Sequence, residues 1–129
     1  MIVDSSALMA VVLGEPEAPR ILALLKERPG RISAASVVEV GIVADLRAPG
    51  LASEVDTLVA DLELTVEPLT ARQAGVARQA HRRYGWRSGS PARLNFGDCL
   101  AYALAVDLGE ELLFKGDDFT HTDVLQAAW

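Results

Sequence analysis

The sequence has few of the residues that build the commonest small functional sites. Its 129 residues include one cysteine, two histidines and 5% aromatic residues. A single cysteine, Cys99, excludes an internal disulfide framework and any zinc site that needs two or more cysteine ligands. The chain also contains no G-x-S-x-G motif and no glycine-rich phosphate loop, so neither a serine hydrolase of that kind nor a nucleotide-binding loop is indicated. We interpret Cys99, which lies in an apolar segment, as a core residue in a reducing compartment.

A basic leader and a long apolar run are missing as well. Residues 1–4 carry no positive charge, and the early apolar run Ala7–Leu13 stops at Gly14. The sequence therefore predicts neither a signal peptide nor a membrane span, and we expect a cytoplasmic protein. Hydrophobic residues make up 50% of the chain and charged residues 23%, which excludes a disordered polypeptide. The length fits one domain over residues 1–129.

The net charge of −6 is unevenly distributed along the chain. The stretch from Arg72 to Arg93 holds six arginines and no acidic residue, whereas the rest of the chain holds six basic and eighteen acidic residues. An acidic body with one basic segment is compatible with a polyanion held beside a carboxylate-rich site. The alternative is that this segment is a solvated helix face followed by a loop.

Short apolar runs alternate with amphipathic segments. The strand candidates are Met1–Val3, Arg31–Ser33, Leu64–Val66 and Leu112–Phe114. The helix candidates run from Ser5 or Ser6 to Leu13, from Glu17 to Glu27, from Ser36 to the residue before Pro49, from Leu51 to Leu62, from Thr70 to Tyr84 and from Asn95 to Val106. A loop is predicted over Gly85–Leu94. This alternation predicts an α/β fold with a mainly parallel central sheet of short strands flanked by helices.

Acidic residues follow the first and the last strand candidates. Asp4 comes directly after the first, and Asp117 and Asp118 follow the last after Gly116. Sites in open parallel sheets form outside the carboxyl ends of the strands. Each position also has a local explanation, because Asp4 suits the N-cap of a helix and adjacent acids on a turn are commonly solvated.

Two further acidic residues fall in helix candidates. Ser36 and Glu39 have the spacing of a capping box; without that role, the apolar neighbours of Glu39 make an unpaired charge costly. Asn95 is a predicted N-cap, which places Asp98 in the first turn, where the helix dipole favours an anion. Four acidic positions that converge at one sheet edge would repel one another unless a hard cation joined them.

Four segments carry these acids in order: Met1–Leu8, Val38-Glu39, Leu94–Cys99 and Leu113–Asp123. In sequence and spacing they resemble the PIN-domain family and, more narrowly, the VapC toxins of bacterial toxin–antitoxin pairs. The resemblance implies a PIN-like three-layer fold. It also implies an acidic site with Asp4, Glu39, Asp98 and Asp117 as metal ligands, Asp118 as the alternative fourth acid, and Ser6 and Asn95 in support.

The resemblance implies a Mg²⁺-dependent endoribonuclease, with Mn²⁺ as a substitute, that is inhibited by a cognate VapB antitoxin and forms a homodimer. A structured tRNA or rRNA is the implied substrate. Oxygen-ligated Mg²⁺ positions water and neutralises charge on a scissile phosphate, and it prefers carboxylates to histidine or cysteine. The residues expected to contact RNA phosphates are Arg78, Arg82, Arg83, Arg87 and Arg93.

Two other functions fit parts of the pattern. One is a PIN-like module without catalytic activity that binds RNA or another protein. The other is a phosphotransfer domain of the receiver type, although that class expects an acid pair near the first strand and Asp4 has no acidic neighbour. For the antitoxin we expect an apolar groove between helices Glu17–Glu27 and Leu51–Leu62, and a partner arginine directed at the acids. His121, which lies near the proposed site, is interpreted as either a structural hydrogen-bonding residue or a proton shuttle.

Overall fold

The computed structural model describes all residues from Met1 to Trp129. Its centre is a four-stranded sheet of β1 (Ile2–Val3), β2 (Arg31–Ser33), β3 (Thr65–Glu67) and β4 (Leu112–Leu113), in the order β3-β2-β1-β4. All three strand pairs are parallel. The chain runs outward from β1 to β2 and β3, and then returns to place β4 on the other side of β1. The strand order therefore reverses between β1 and β4, which is where open α/β sheets place their sites.

Six helices connect and cover the strands: α1 (Ser5–Val12), α2 (Ala18–Glu27), α3 (Ala34–Arg47), α4 (Leu51–Asp61), α5 (Ala71–Tyr84) and α6 (Phe96–Leu108). A short 3₁₀ helix, Asp118–His121, follows β4 and was not predicted. The predicted α/β fold with a parallel sheet is confirmed, and each strand and each α-helix lies within two residues of its predicted bounds. No helix has both the length and the apolar character needed to cross a membrane.

The predicted start of helix α3 at Ser36 is two residues late, and of the two alternatives for Glu39 the capping box is not formed. Helix α3 begins two residues earlier, because the Ser33 hydroxyl at the end of β2 accepts a hydrogen bond from the Ala35 N–H at 3.2 Å. Ser36 is buried inside the helix, and its hydroxyl has no hydrogen-bond partner. Glu39 is thus not bound to a cap and is free to take another role.

Neighbouring residues of the short central strands pack on opposite faces of the sheet. Ile2 and Leu112 join one core cluster with residues of α5 and α6, whereas Val3 and Leu113 join the other with residues of α1 to α4. Successive side chains of a strand point to opposite faces, so two-residue strands are enough to connect both layers of helices. Cys99 is buried in the first cluster, as predicted, and its burial raises the pKa of its thiol to about 11.

Candidate acidic site

Asp4 connects the end of β1 to the start of α1. Its carboxylate Oδ2 caps the helix by accepting hydrogen bonds from the Ser6 N–H at 2.9 Å and the Ser6 hydroxyl at 2.5 Å. The Ser6 hydroxyl in turn accepts the backbone N–H of Lys115 at 3.0 Å. Ser6 therefore joins the carboxyl ends of β1 and β4, the two strands between which the sheet order reverses. Asp4 is therefore both the N-cap of α1 and a member of the acidic site.

The burial of Asp4 leaves one of its oxygens without a partner. The residue is 2% exposed, and its Oδ1 makes no hydrogen bond. Burial raises the pKa of Asp4 above its ordinary value, against the hydrogen bonds from Ser6 and Ser5, and the charge of Asp118 raises it further. An acid in this position has a strong electrostatic preference for a nearby cation.

Asp98 lies in the first turn of α6, as predicted. The Asn95 side chain accepts the Asp98 N–H at 2.9 Å, and Asp98 Oδ2 accepts the Asn95 N–H at 2.7 Å, which makes a reciprocal capping box. Burial raises the pKa of Asp98 to about 6 even though the Asn95 N–H favours the ionised form. The charges of Asp4, Asp118 and Glu39 raise the same pKa, so α6 brings Asp98 into range of the other acids.

Glu39 reaches the acidic site from α3 because α6 has a glycine at the point of contact. A Cβ atom added at Gly97 would overlap the Glu39 carboxylate. Glu39 Oε2 is buried without a hydrogen-bond partner. Burial and the charge of Asp4 raise the pKa of Glu39, whereas a hydrogen bond with the side chain of Ser5 lowers it. Neither Ser5 nor Gly97 was predicted to belong to the site, although the glycine next to Asp98 was a visible signal.

The structure favours Asp118 over Asp117 as the fourth acid. Gly116 turns the chain out of β4 with a φ of 107°, a conformation that favours glycine. Asp118 begins the 3₁₀ helix, and its charge acts on both Asp4 and Asp98. Asp117 and Asp118 are both exposed, but Asp117 is not among the charges that act on Asp4, Glu39 or Asp98. We therefore use the name acidic site for Asp4, Glu39, Asp98 and Asp118.

The residues of the acidic site fit a hard cation that keeps part of its hydration shell. No three histidine, cysteine or acidic side chains lie close enough together to hold one ion directly. Two oxygens, Asp4 Oδ1 and Glu39 Oε2, are nevertheless buried without partners, and such groups are costly in the absence of a counter-charge. Mg²⁺ commonly binds proteins through one or two carboxylates and several waters. The donor set suits that arrangement better than an ion enclosed by all four acids.

The five arginines expected to contact RNA lie in different surroundings. Arg83 pairs with Asp123 at 2.7 Å and lies over the Tyr84 ring. Arg87 and Arg93 have left-handed backbones, with φ of 72° and 52°, and both guanidinium groups lie over the ring of Trp86. The remaining two, Arg78 and Arg82, are exposed on α5 and in none of the chain's ion pairs.

Arg78 and Arg82 border an apolar groove between α5 and α6, which we call the α5–α6 groove. It has a volume of about 540 Å³ and is lined by Leu69, Ala74, Ala77, Arg78, His81, Arg82, Phe96, Cys99 and Leu100. A second groove, the α1–α4 groove, has a volume of about 420 Å³ and is lined by Val11, Val12, Ser53, Glu54, Thr57, Leu58 and Asp61. The expected groove between α2 and α4 is not the one found, because α4 packs on α1 and α3.

The fold and the site thus define a small parallel α/β domain with an acidic centre at the carboxyl edge of its sheet. The PIN domain family matches residues 1–125. Ribonuclease VapC28 of Mycobacterium tuberculosis is 50% identical over 129 residues, which cover 98% of this chain and 97% of that protein. This chain belongs to the PIN-domain family and, within it, to the VapC group. The receiver-type alternative is therefore wrong.

Solved structures share the fold at low sequence identity. Mycobacterium tuberculosis VapC20, described as a sarcin–ricin loop cleaving toxin, superposes with a TM-score of 0.79 at 18% identity, covering 98% of this chain and 97% of that one. A toxin–antitoxin complex from Klebsiella pneumoniae gives a TM-score of 0.72 at 17% identity, with coverage of 98% and 95%. Both comparisons support the three-layer arrangement of helices around a parallel sheet.

Proposed function

We propose that this protein is a metal-dependent endoribonuclease and the toxin of a VapBC-type toxin–antitoxin pair. The observation that carries the proposal is the acidic site, where four carboxyl groups from separate elements act on one another and two buried oxygens lack partners. The ribonuclease name of a relative at 50% identity supports RNA as the substrate. We further propose a structured tRNA or rRNA, as the family resemblance implies.

In this proposal Asp4 and Asp98 bind Mg²⁺ or Mn²⁺, and Glu39 and Asp118 complete the negative field around it. The bound ion would neutralise charge on the scissile phosphate and lower the pKa of a water molecule for attack. Ser6 holds Asp4 in place through its two hydrogen bonds, and Asn95 holds Asp98. Burial keeps these carboxylates poorly solvated, which strengthens their interaction with a cation. The chain's own contribution is therefore to position the ligands and partly exclude water.

Removal of metal is the direct test. We expect purified protein to cleave a pool of structured RNA in the presence of Mg²⁺ or Mn²⁺. EDTA should abolish cleavage, because carboxylates alone cannot offset the charge of the phosphate, and excess Mg²⁺ should restore it. Gel analysis of end-labelled RNA measures the rate. Cleavage that continues at full rate in EDTA would contradict the proposed chemistry, and RNA binding without any cleavage would support the alternative of an inactive module.

We propose the α1–α4 groove as the docking site of the antitoxin. Val11, Val12 and Leu58 give it an apolar floor, and Glu54 and Asp61 contribute negative charge. An amphipathic helix with basic residues would match this surface in both shape and charge. The groove meets α1 at its carboxyl end, about two helical turns from the Asp4 cap, so a partner helix that continued along α1 toward its start would reach the acidic site. We propose that one of its arginines pairs with the carboxylates there and excludes Mg²⁺.

Charge reversal in the α1–α4 groove should separate antitoxin binding from RNA cleavage. We expect Glu54→Arg to weaken antitoxin affinity about tenfold or more through like-charge repulsion, and to leave cleavage by the free toxin unchanged. Asp56→Arg is the matched control, because Asp56 is exposed on the same helix but does not line the groove. Titration calorimetry with the purified antitoxin measures both affinities.

Displacement of Mg²⁺ by a partner arginine also predicts how inhibition depends on the metal concentration. Inhibition should weaken as Mg²⁺ rises at fixed ionic strength, because metal and arginine would compete for the same oxygens. Equal effects of Glu54→Arg and Asp56→Arg would contradict the α1–α4 groove as the docking site, and inhibition that does not change with Mg²⁺ would contradict the displacement of metal.

The homodimer stays a prediction, for which the exposed apolar residues Val38, Ile42 and Leu46 on α3 provide a candidate surface.

A further inference from the structure

Phe96 is a large apolar side chain in an unusual place. It is 80% exposed, and it is the first residue of α6, between the Asn95 cap and the carboxyl group of Asp98 two residues on. Residues two apart in a helix point in nearly opposite directions. Asp98 turns toward the acidic site, whereas Phe96 borders the α5–α6 groove. One helical turn therefore separates the acidic site from an exposed aromatic ring.

The α5–α6 groove combines an apolar lining with positive charge. Its apolar surface comes from Leu69, Phe96 and Leu100, and Arg78 and Arg82 lie along it one helical turn apart on α5. No acidic residue lines the groove. Arg72 and Arg83, by contrast, are paired with Asp107 and Asp123. The two arginines of α5 that form no ion pair, Arg78 and Arg82, thus both lie along the groove.

Resting on the proposed ribonuclease function, we propose that the α5–α6 groove binds a nucleobase of the RNA strand. The base stacks on Phe96, and Arg78 and Arg82 contact the phosphates of the nucleotides that flank it. Surfaces that bind single-stranded nucleic acids combine these two features, an aromatic platform and a positive groove that follows the backbone. With one base stacked on Phe96, the RNA strand crosses the first turn of α6, and a neighbouring phosphodiester then lies at the acidic site.

Single-stranded RNA suits the α5–α6 groove in its charge and in the position of the groove beside the acidic site. A single-stranded RNA brings a flat apolar base together with flanking negative charges, which is the combination that the groove complements. The cavity of about 540 Å³ is large enough for a base. Within this arrangement Phe96 is a substrate-binding residue that selects unpaired nucleotides, since a base in a duplex is already stacked and unavailable.

The test measures binding without cleavage, so that it is independent of the catalytic proposal. A short single-stranded RNA of uniform sequence carrying one 2-aminopurine is titrated in EDTA with the wild-type protein, and its fluorescence reports stacking. We expect quenching on binding. Phe96→Ala should weaken binding about fivefold or more and remove the quenching, whereas Phe96→Trp should retain both. Because Phe96 is exposed, the substitution should leave the fold intact, which circular dichroism can verify.

Three controls make the outcome specific to a stacked base. Val106→Ala changes an exposed apolar residue at the far end of the same helix and should bind like the wild type. A series of RNAs carries one abasic residue at successive positions along the strand. At one position the abasic RNA should bind wild-type protein as weakly as intact RNA binds Phe96→Ala. Binding of that abasic RNA to Phe96→Ala should show no further loss of affinity. Arg78→Gln should weaken intact and abasic RNA equally and lower the salt slope by about 0.7.

Unchanged RNA affinity and quenching in Phe96→Ala would overturn the proposal, and this is the result expected if the groove serves a protein partner instead. Equal losses for Phe96→Ala and Val106→Ala would overturn it as well. Failure of the ribonuclease proposal has a different signature, namely no cleavage with Mg²⁺ while the binding of 2-aminopurine RNA in EDTA still depends on Phe96.

Discussion

Asp98→Asn is expected to lower the rate of RNA cleavage by about a hundredfold or more, and at the same time to stabilise the metal-free protein. The substitution keeps the shape of the side chain and an oxygen that can accept the Asn95 N–H, but it removes a negative charge from the acidic site. Loss of a ligand charge weakens the binding of Mg²⁺ and the neutralisation of the phosphate. Cleavage assays at several Mg²⁺ concentrations measure the first effect.

The gain in stability follows from the raised pKa of Asp98, about 6 against an ordinary value of 3.8. Between these two values the folded protein holds a proton that the unfolded chain has lost, so the stability of the wild type falls as the pH rises through this range and then levels off. The amide that replaces the carboxyl group in the variant does not titrate. We expect an advantage of about 1 kcal/mol at pH 7 for the variant without metal, since partial exposure reduces the effect.

Denaturant unfolding in EDTA at pH 4.5 and pH 7 checks the sign. The difference between Asp98→Asn and the wild type should be larger at pH 7, and added Mg²⁺ should reduce it by binding the wild type preferentially. If Asp98 served only as a partner for the helix dipole, the variant would keep its cleavage rate and lose up to about 1 kcal/mol of stability. Such a result would remove Asp98 from the proposed metal site.

Gly97→Ala is the second substitution for which we expect a large effect. The added methyl group would overlap the Glu39 carboxylate, so either Glu39 leaves the acidic site or α6 shifts. The overlapped atoms are the far end of a flexible side chain, so we expect Glu39 to rotate out of the acidic site and cleavage to fall about tenfold or more. Alanine is otherwise favoured over glycine in a helix, so the free energy of unfolding should change little while activity falls.

Gly75→Ala provides the matched control, because it lies within α5 and an added Cβ would meet nothing within 4 Å. It should gain up to about 1 kcal/mol and cleave normally. Glu39→Ala alone should lower cleavage about as much as Gly97→Ala, and combining the two substitutions should cause no further loss, because both act through the Glu39 carboxylate. If Gly97→Ala behaved like Gly75→Ala in both assays, the contact between α6 and Glu39 would have no functional part.

The sequence by itself determined the layout of the fold, because the signals for it are local. Alternating apolar runs and turn residues located every strand and α-helix within two residues. The spacing of Asn95 and Asp98 predicted a helix start that the structure contains as a capping box. The resemblance in four ordered segments identified the family that the comparisons confirm. Such patterns depend on neighbours within one or two helical turns, which the chain order itself supplies.

Only the tertiary structure decided which residues of those patterns meet. Ser33 rather than Ser36 caps α3, because β2 ends at Ser33 and fixes where the helix starts. The turn at Gly116 gives Asp118, and not Asp117, its influence on the other acids. Glu39 reaches the site only where Gly97 leaves room for it, and α1 rather than α2 borders the groove beside α4. Each of these depends on contacts between segments distant in sequence, where local preference is overridden by packing and burial.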